Sequence, residues 1–533
     1  MILNRIWRVM VVVAIATSLL LGNIILPTGP VLAQETEDTC ENLSDWEEEY
    51  AYTLGVQAYI YAFPWTYMPK AYWTRMTDEG GKVNEFYHYE ELRDDTFVGG
   101  GNQNDTLYSH AVVYLGDEPL ILSVPEIDRY YTIQMVDYRG DNFAYVGQRA
   151  TGPEAGNYAI VGPNWEGELP DDVQKLEGSS STPWAHLFGR TMVTEIERKL
   201  DRKLDKLDKD FALARVHAIQ SQYKLTPLSQ WNDPDASEPD VPELWKPYYE
   251  GDFADWKNIN HAMADNPPDP ADSALLDLFK GIGIGPGLDV ELQSESTKHG
   301  LECAAVDGLQ IIRNAFANGY AQKQVNGWNY PPPEAGRPSQ TKDWLLRAMQ
   351  AESGFIANDP DEAVYLNASL DGEGNLLTGA NRYELRFEKG QQPEVNEFWS
   401  ITMYDTDTTM VTNDINRFSV GDRSDLDDGD DGSVTISIQH DPPSECLDQE
   451  GELNGDLCPN WLPAPEGNFY MFMRLYLPKY PGLFQWWVPP ALTNLGPPET
   501  SDNALSAQAV EDVAQEDFWD TIIQQIEKRY SSK

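Results

Sequence analysis

The sequence predicts a multidomain α+β protein: two antiparallel β-rich domains, sandwich-like or jelly-roll-like, with a mostly helical region between them and a helix at the C-terminus. Three observations predict it. The 533 residues exceed what one hydrophobic core supports. Two separate blocks, about 96–161 and 383–477, consist of short runs rich in β-branched and aromatic residues, parted by Gly, Asp and Pro. Between the blocks, apolar residues recur with helical period. The expected segments are 1–33, an export signal; 34–185, a helix and the first β-rich domain; 186–370, a helical connection with a Pro- and Asp-rich loop; 371–500, the second β-rich domain; and 501–533, a closing helix.

The N-terminal segment has a short basic start, an apolar run over Val9–Leu26, then Pro27, Gly29 and Pro30 before Val31-Leu32-Ala33. This is the pattern of a secretory signal cut after Ala33, with an uncleaved anchor as the alternative. No later stretch is as long or as apolar, so the expected location is periplasmic or secreted, with no stable membrane insertion after cleavage. Ser44-Asp45-Trp46-Glu47 has capping-box spacing, and the residues after it predict a helix of about four or five turns that Pro64 stops. Strands are expected at Thr106–Leu115, Pro119–Val124, Tyr130–Asp137 and Phe143–Gly147. Helices are expected at Phe211–Tyr223, Ser273–Lys280, Leu301–Ala321 and Asp343–Met349, with loop over Trp231–Pro270. Strands return at Tyr383–Phe387, Glu397–Tyr404, Ser433–Gln439 and Phe469–Leu477, and Ala509–Tyr530 places Val510, Val513, Phe518, Ile522 and Ile526 near one helical face.

A net charge of −49 spread along the chain repels nucleic acid and anionic membranes. The basic run from Arg198 to Lys209 alternates with Asp and reads as a solvated helix. Four cysteines in an exported chain predict disulfides: Cys446 with Cys458 across a short polar loop, which leaves Cys40 with Cys303. No cofactor is expected. Gly281–Gly287 lacks the register of a dinucleotide turn and a P-loop lysine, and there is no GxSxG, HExxH or CxxC. Seven histidines show no ligand spacing, and Ser109 and His110, adjacent on a strand, point to opposite faces. In the acidic loop Asp425–Gly432, Asp427 and Asp431 are the only Ca²⁺ candidates. An EF-hand register starting at Asp427 meets Gly429 at its third position and Ile438 at its twelfth, so a solvated turn is the better reading.

The densest polar motifs are Asn102-Gln103-Asn104-Asp105-Thr106-Leu107-Tyr108-Ser109, Arg129-Tyr130-Tyr131, Gln134, Asp137, Arg149, Gly162-Pro163-Asn164-Trp165 and Arg190. Over roughly residues 50–195 they resemble domain-of-unknown-function family 1254. A second set, Asn381-Arg382-Tyr383, Phe398-Trp399-Ser400, Met403-Tyr404-Asp405, Asn416-Arg417-Phe418, Asp431-Gly432-Ser433, Asn460 to Pro465 and Arg474-Leu475-Tyr476, is similar to family 1214 over roughly 375–490. The resemblance implies two β-rich domains with helices between and around them, often exported, and no established reaction. The chain departs from the pattern at Phe418, where a tyrosine is common, and in an acidic loop richer in Asp.

Planar polar groups beside aromatic rings suit hydroxyl-rich or carboxylate ligands. Asn104, Tyr108, Tyr131, Gln134, Arg149, Trp165, Arg417 and Trp461 are therefore the ligand-binding candidates. The same residue types also brace turns and strand pairs, and the residues alone leave both roles open. Three functions follow: binding of a small polar molecule, possibly a glycan; a hydrolase or lyase with Asp105 or Asp137 as general base and Arg129 stabilising negative charge; or a homo-oligomer in which the motifs only join domains.

Overall fold

A computed structural model describes residues 40, 43, 45–77, 80–97, 101–203, 209–479 and 487–498. The export signal, the Ser44 cap and the closing helix expected at 509–530 lie outside the described residues.

The fold is α+β, with two pairs of sheets. In the first pair, a five-stranded sheet runs β1 (Tyr87–His88), β2 (Thr106–Tyr114), β8 (Trp184–Met192), β4 (Tyr131–Asp137), β5 (Asn142–Gly147). Its partner runs β7 (Gln174–Lys175), β6 (Gly156–Ile160), β3 (Leu120–Val124), β9 (Lys224–Pro227). In the second pair, a six-stranded sheet runs β10 (Lys323–Val325), β11 (Trp328–Tyr330), β12 (Ala363–Ala368), β18 (Phe469–Tyr476), β14 (Trp399–Asp405), β15 (Ser419–Gly421). Its partner runs β17 (Trp461–Pro463), β16 (Val434–Gln439), β13 (Arg382–Phe387), β19 (Leu492–Gly496). Pairing is antiparallel apart from β6 with β7 and β16 with β17.

Strand alternation decides which face of each large sheet is apolar. In the first pair, Ala111, Val113, Ile133, Met135 and Leu187 pack against Leu120, Leu122 and Ile160 of the smaller sheet. In the second, Leu366, Ile401, Met403, Met471, Met473 and Leu475 pack against Leu385, Ile436, Ile438 and Leu492. The intervening positions leave a polar, aromatic face on each large sheet: Tyr108, His110, His186, Phe188, Arg190 and Gln134 on one, Tyr365, Ser400, Thr402, Tyr404, Arg474 and Tyr476 on the other. These residues are also buried or nearly so.

The helices are α1 (Trp46–Thr77), α2 (Glu195–Lys203), α3 (Lys209–Gln220), α4 (Leu228–Asn232), α5 (Ala254–Asp265), α6 (Ser273–Lys280), α7 (Glu295–Ala317) and α8 (Trp344–Gly354). Two expectations change here. Helix α1 continues through Pro64 and Pro69 to Thr77. Its far half is enclosed, with Phe63, Trp65, Met68 and Tyr72 in the core and Trp65 Nε1 donating to the Asn266 carbonyl at 2.7 Å, so burial overrides the lost backbone donors. Helix α1 lies close against α7: a Cβ at Gly300 would stand 2.5 Å from the Glu48 carbonyl oxygen. The second change is α5, inside the expected loop, where Trp256, Ile259, Ala262 and Met263 share a buried face. The aromatic residues of α1, among them Tyr59, Tyr61, Phe63, Trp65 and Tyr72, fill the core.

The stretch after residue 185 reads as helical, yet Trp184–Met192 is the central strand of the first sheet. Its sequence WAHLFGRTM alternates His186, Phe188 and Arg190 with Leu187 and Gly189, and both faces are buried, which masks the polar-apolar contrast that marks a half-exposed strand. All four cysteines are disulfide-bonded, and Cys446 pairs with Cys458. Among the described residues no helix is long and apolar enough to cross a membrane.

Candidate functional site

The two motif sets meet at a buried seam. Its first part is a clamp around Asp105, at the entrance to β2 and fully buried. Asp105 Oδ1 accepts from Arg198 Nη1 of α2 at 3.0 Å and from Arg423 Nη2 at 2.9 Å, while Ser400 Oγ of β14 donates to Oδ2 at 2.6 Å. Asn104 Oδ1 accepts from Ser419 Oγ of β15 at 2.9 Å. The preceding loop is held by β18 and β14: Arg474 Nη2 donates to the Gly101 carbonyl, and the Tyr404 hydroxyl to the Asn102 carbonyl. Every oxygen of the Asp105 carboxylate is engaged, so its geometry is that of an interface brace.

A second group lies around Tyr130. Its ring packs against Phe398 at 5.7 Å and Tyr476 at 5.3 Å between centroids, and its hydroxyl donates to Glu362 Oε1 at 2.9 Å. Arg149 Nε donates to the other Glu362 oxygen at 2.7 Å. Burial, then the Glu362 charge, pushes the Tyr130 phenol far up, so it stays a neutral donor. Arg149 also borders a cavity of about 350 Å³ with Asp361, Asn396, Leu477, Pro478 and Lys479.

The third group occupies the polar face of the five-stranded sheet. Arg190 of β8 pairs across strands with Tyr108 of β2 and Thr132 of β4. Its guanidinium donates to Gln134 Oε1 at 2.8 Å, Asn358 Oδ1 at 3.3 Å and the Ile356 carbonyl at 2.9 Å, all neutral acceptors. Gln134 Nε2 reaches Asn142 Oδ1 at 2.6 Å and the Ala357 carbonyl at 2.7 Å, and Asn358 Nδ2 donates to the Tyr365 hydroxyl at 2.6 Å. The Tyr108 hydroxyl accepts from Gln103 N at 3.2 Å. Four residues before Arg190 and on the same face of β8, His186 lies beneath Tyr72 of α1 and beside Phe355. Among the described residues, both ring nitrogens of His186, the Tyr72 hydroxyl and the Thr132 hydroxyl are buried without a hydrogen-bond partner. Burial, then the nearby Arg75 charge, holds the His186 pKa well below its ordinary value, so the ring is neutral and offers one donor and one acceptor.

The remaining candidates lie elsewhere. Asp137 ends β4, where Oδ1 accepts from Arg139 N at 2.9 Å and Asp141 N at 3.1 Å, and Ser181 Oγ donates to Oδ2. Arg129 is paired with Glu197 at 2.8 Å and bonded to the Met192 carbonyl at 3.1 Å. Tyr131 donates to the Gly152 carbonyl at 3.1 Å, on the apolar face. Trp165 packs beside Val161 and Val173 in a peripheral cluster. Arg417 donates to the carbonyls of Gly455 and Cys458, each at 2.7 Å, and of Trp461 at 2.9 Å, and Trp461 Nε1 to Gln439 O at 3.1 Å; these brace the Cys446–Cys458 loop. Asp427 and Asp431 line an open depression of about 460 Å³ with Arg386, whose guanidinium binds Asp431. The expected alternation at Ser109 and His110 holds: Ser109 Oγ meets His88 Nδ1 at 2.8 Å, whereas His110 faces Tyr87 and His186.

Asn104, Tyr108 and Gln134 thus converge on the seam, and Arg149 borders it; Tyr131, Trp165, Arg417 and Trp461 do not. The seam residues that motif reading left out as candidates are His186, Arg190, Tyr365 and Arg474. Period-two alternation through β8 and β18 is the signal that places them on the same faces as Tyr108 and Tyr404.

Two family models match the chain. The model described as "Protein of unknown function (DUF1254)" matches residues 83–227, and "Protein of unknown function (DUF1214)" matches residues 362–480. The chain is similar to the crystal structure of the VPA0106 protein from Vibrio parahaemolyticus, with 23% identity, TM-score 0.61 and coverage of 83% of this chain and 99% of that one. An uncharacterized protein from Burkholderia cenocepacia aligns with 12% identity and TM-score 0.39 over 84% of this chain and 93% of that one. Comparison with curated proteins finds no match.

Proposed function

From a chain that carries a family 1254 domain at 83–227 and a family 1214 domain at 362–480, we propose an exported protein that binds a small polar ligand in the seam between its two large sheets. The observation that carries this reading is a set of buried, unpartnered polar atoms at one face of the five-stranded sheet: both nitrogens of His186 and the Thr132 hydroxyl on the sheet, and the Tyr72 hydroxyl of α1, whose ring lies over His186. Natural proteins pair nearly all buried polar groups, because each one left unmade costs about 1–3 kcal/mol. A ligand with hydroxyl or amide groups satisfies them, and the flanking rings of Tyr72, Phe188 and Phe355 supply apolar contact. The test is thermal unfolding of the purified protein across sugars, polyols and small organic acids. Binding raises the melting temperature with ligand concentration, and His186→Phe lowers that response; a panel that shifts nothing opposes the reading.

Export is part of the same proposal. Disulfides at all four cysteines fit an oxidising compartment, and the N-terminal pattern supports cleavage after Ala33. Intact mass of the protein recovered from the periplasm or medium tests it: a mature chain beginning at Gln34 is expected, and a full-length chain is contrary.

One observation favours an acid–base alternative. Burial, then the charge of Asp137, raises the Asp141 carboxyl to about 6, a value suited to proton transfer near neutrality. This alternative uses Asp141 as the acid–base group and Asp137 as the charge that raises it, since the oxygens of both Asp105 and Asp137 are engaged by hydrogen bonds. Loss of turnover on an exported polymer in Asp137→Asn and Asp141→Asn, with the fold retained, would support it.

A further inference from the structure

Buried Arg129 and Arg198 and half-buried Arg423 have carboxylate partners: Arg129 with Glu197, Arg198 with Asp105 and Glu195, and Arg423 with Asp105. Arg190 and Arg474 differ. They are 6% and 3% exposed, and among the described residues neither forms an ion pair. Arg190 is bonded to two side-chain amides and one carbonyl; Arg474 donates to Thr402 Oγ1 at 3.0 Å, to the Tyr404 hydroxyl at 2.9 Å and to the Gly101 carbonyl. The Nε of each donates to no described residue. In a chain with 87 Asp and Glu residues, carboxylates are not scarce, so this arrangement is a local choice. Arg347, also buried, stacks on Tyr61 and Trp344 in the helical core, as Arg190 does on Phe188 and Arg474 on Phe472; what sets Arg190 and Arg474 apart is their place on the polar faces of the two large sheets.

The two guanidiniums belong to one environment. Each lies on an inner strand of its large sheet, β8 and β18, and each is opposite a tyrosine in register, Tyr108 for Arg190 and Tyr365 for Arg474. Tyr108 and Tyr476 interact electrostatically with both. The Tyr476 hydroxyl, in a residue only 1% exposed, makes no hydrogen bond among the described residues. Burial drives the Tyr130 and Tyr476 phenols far up, so they are neutral donors and supply no counter-charge. Two positive charges are therefore held out of water among neutral groups, which is unfavourable until an anion joins them.

We propose that the ligand of the seam is an acid: a small molecule whose carboxylate is held between Arg190 and Arg474, with hydroxyl donors from Tyr476 and Tyr108 and its neutral remainder extending along Phe188 toward His186. The proposal rests on the reading of the seam as a ligand site. Guanidinium donors and phenol hydroxyls are the groups that recognise a carboxylate in a water-poor setting. Along β8, His186 and Arg190 share one face four residues apart, a rise of about 13 Å, so the span suits a compact acid with an apolar or ring-shaped middle.

The experiment compares acids with neutral twins on the full exported chain: glucuronate with glucose, benzoate with benzyl alcohol, succinate with 1,4-butanediol. Thermal shift ranks them, and calorimetric titration follows with wild type, Arg190→Gln, Arg474→Gln and Arg190→Lys. At least one acid should raise the melting temperature more than its twin, and each Gln variant should bind that acid about tenfold or more weakly, with Arg190→Lys intermediate. If a Gln variant fails to fold, the wild-type comparison of twins still decides. Acids that never exceed their twins overturn the proposal, as does wild-type affinity in both folded Gln variants. Neutral twins that shift melting as strongly as the acids leave the polar-ligand reading standing and remove the charge; a panel in which nothing binds removes both.

Discussion

Ser400 and Asp105, 295 positions apart in sequence, are joined across the seam by a 2.6 Å hydrogen bond from Ser400 Oγ to Asp105 Oδ2. One belongs to the Phe398-Trp399-Ser400 motif of the second β region and the other to the Asn104-Asp105 motif of the first. With Arg198 and Arg423 on the other oxygen, the contact makes Asp105 the electrostatic centre of the domain junction. These two motif residues of this chain therefore hold the two sheets in register with each other.

Asp105→Asn keeps the shape of the side chain and removes the buried charge that two guanidiniums, Arg198 and Arg423, share. It should destabilise the protein by about 3–5 kcal/mol, the range for breaking a buried ion pair. Chemical unfolding measures this. A folded variant of wild-type stability would mean that Asp105 is not the brace described.

Tyr130→Phe leaves the edge-on ring contacts with Phe398 and Tyr476 and removes one hydrogen bond to buried Glu362. A cost of about 1.5–3 kcal/mol is expected for a bond to a charged acceptor. Combined with Glu362→Gln, the double-mutant cycle should show coupling of about 1 kcal/mol or more, because the two residues touch.

His186 is buried and His88 half-buried, and removal from water is the first cause of their lowered pKa values, His88 to about 4. Each stays neutral in the folded chain while the unfolded chain takes up a proton below about pH 6.5, so stability falls as pH falls through that value. His186→Phe preserves the ring packing and removes one of these proton sites. Its melting temperature should fall less steeply than wild type between pH 6.5 and 5, and an identical slope would contradict the assignment.

The Cys446–Cys458 bridge closes a loop with a sequence separation of 12, which Arg417 also ties through three carbonyls. The double variant Cys446→Ser, Cys458→Ser should lose about 2–3 kcal/mol, the chain-entropy value for a loop of this size. Reductant should lower the wild-type melting temperature in the same direction.

Much of this was legible in the sequence. Alternating β-branched and aromatic residues located four strands of each β region within a residue or two, because those strands are bounded by Gly, Asp or Pro. Strand β8 was not, since Trp184–Met192 is buried on both faces and its polar members, His186 and Arg190, are buried with the rest. Helix α1 passed Pro64 because packing against its neighbours, invisible in a local window, outweighs the broken backbone bond. For the site, motif reading found Asn104, Tyr108 and Gln134 on the seam. It also singled out Arg417, Trp461 and Tyr131, whose polar atoms satisfy backbone groups; spacing does not distinguish a side chain that bonds a ligand from one that bonds a carbonyl.

Amide hydrogen exchange with and without the compound that most raises the melting temperature tests directly whether a ligand is held between the two large sheets. Added protection is predicted in the segments that carry the seam, 101–110, 184–192, 356–366 and 470–477. Protection centred instead on the acidic loop 425–432, or absent from all four seam segments, would contradict it.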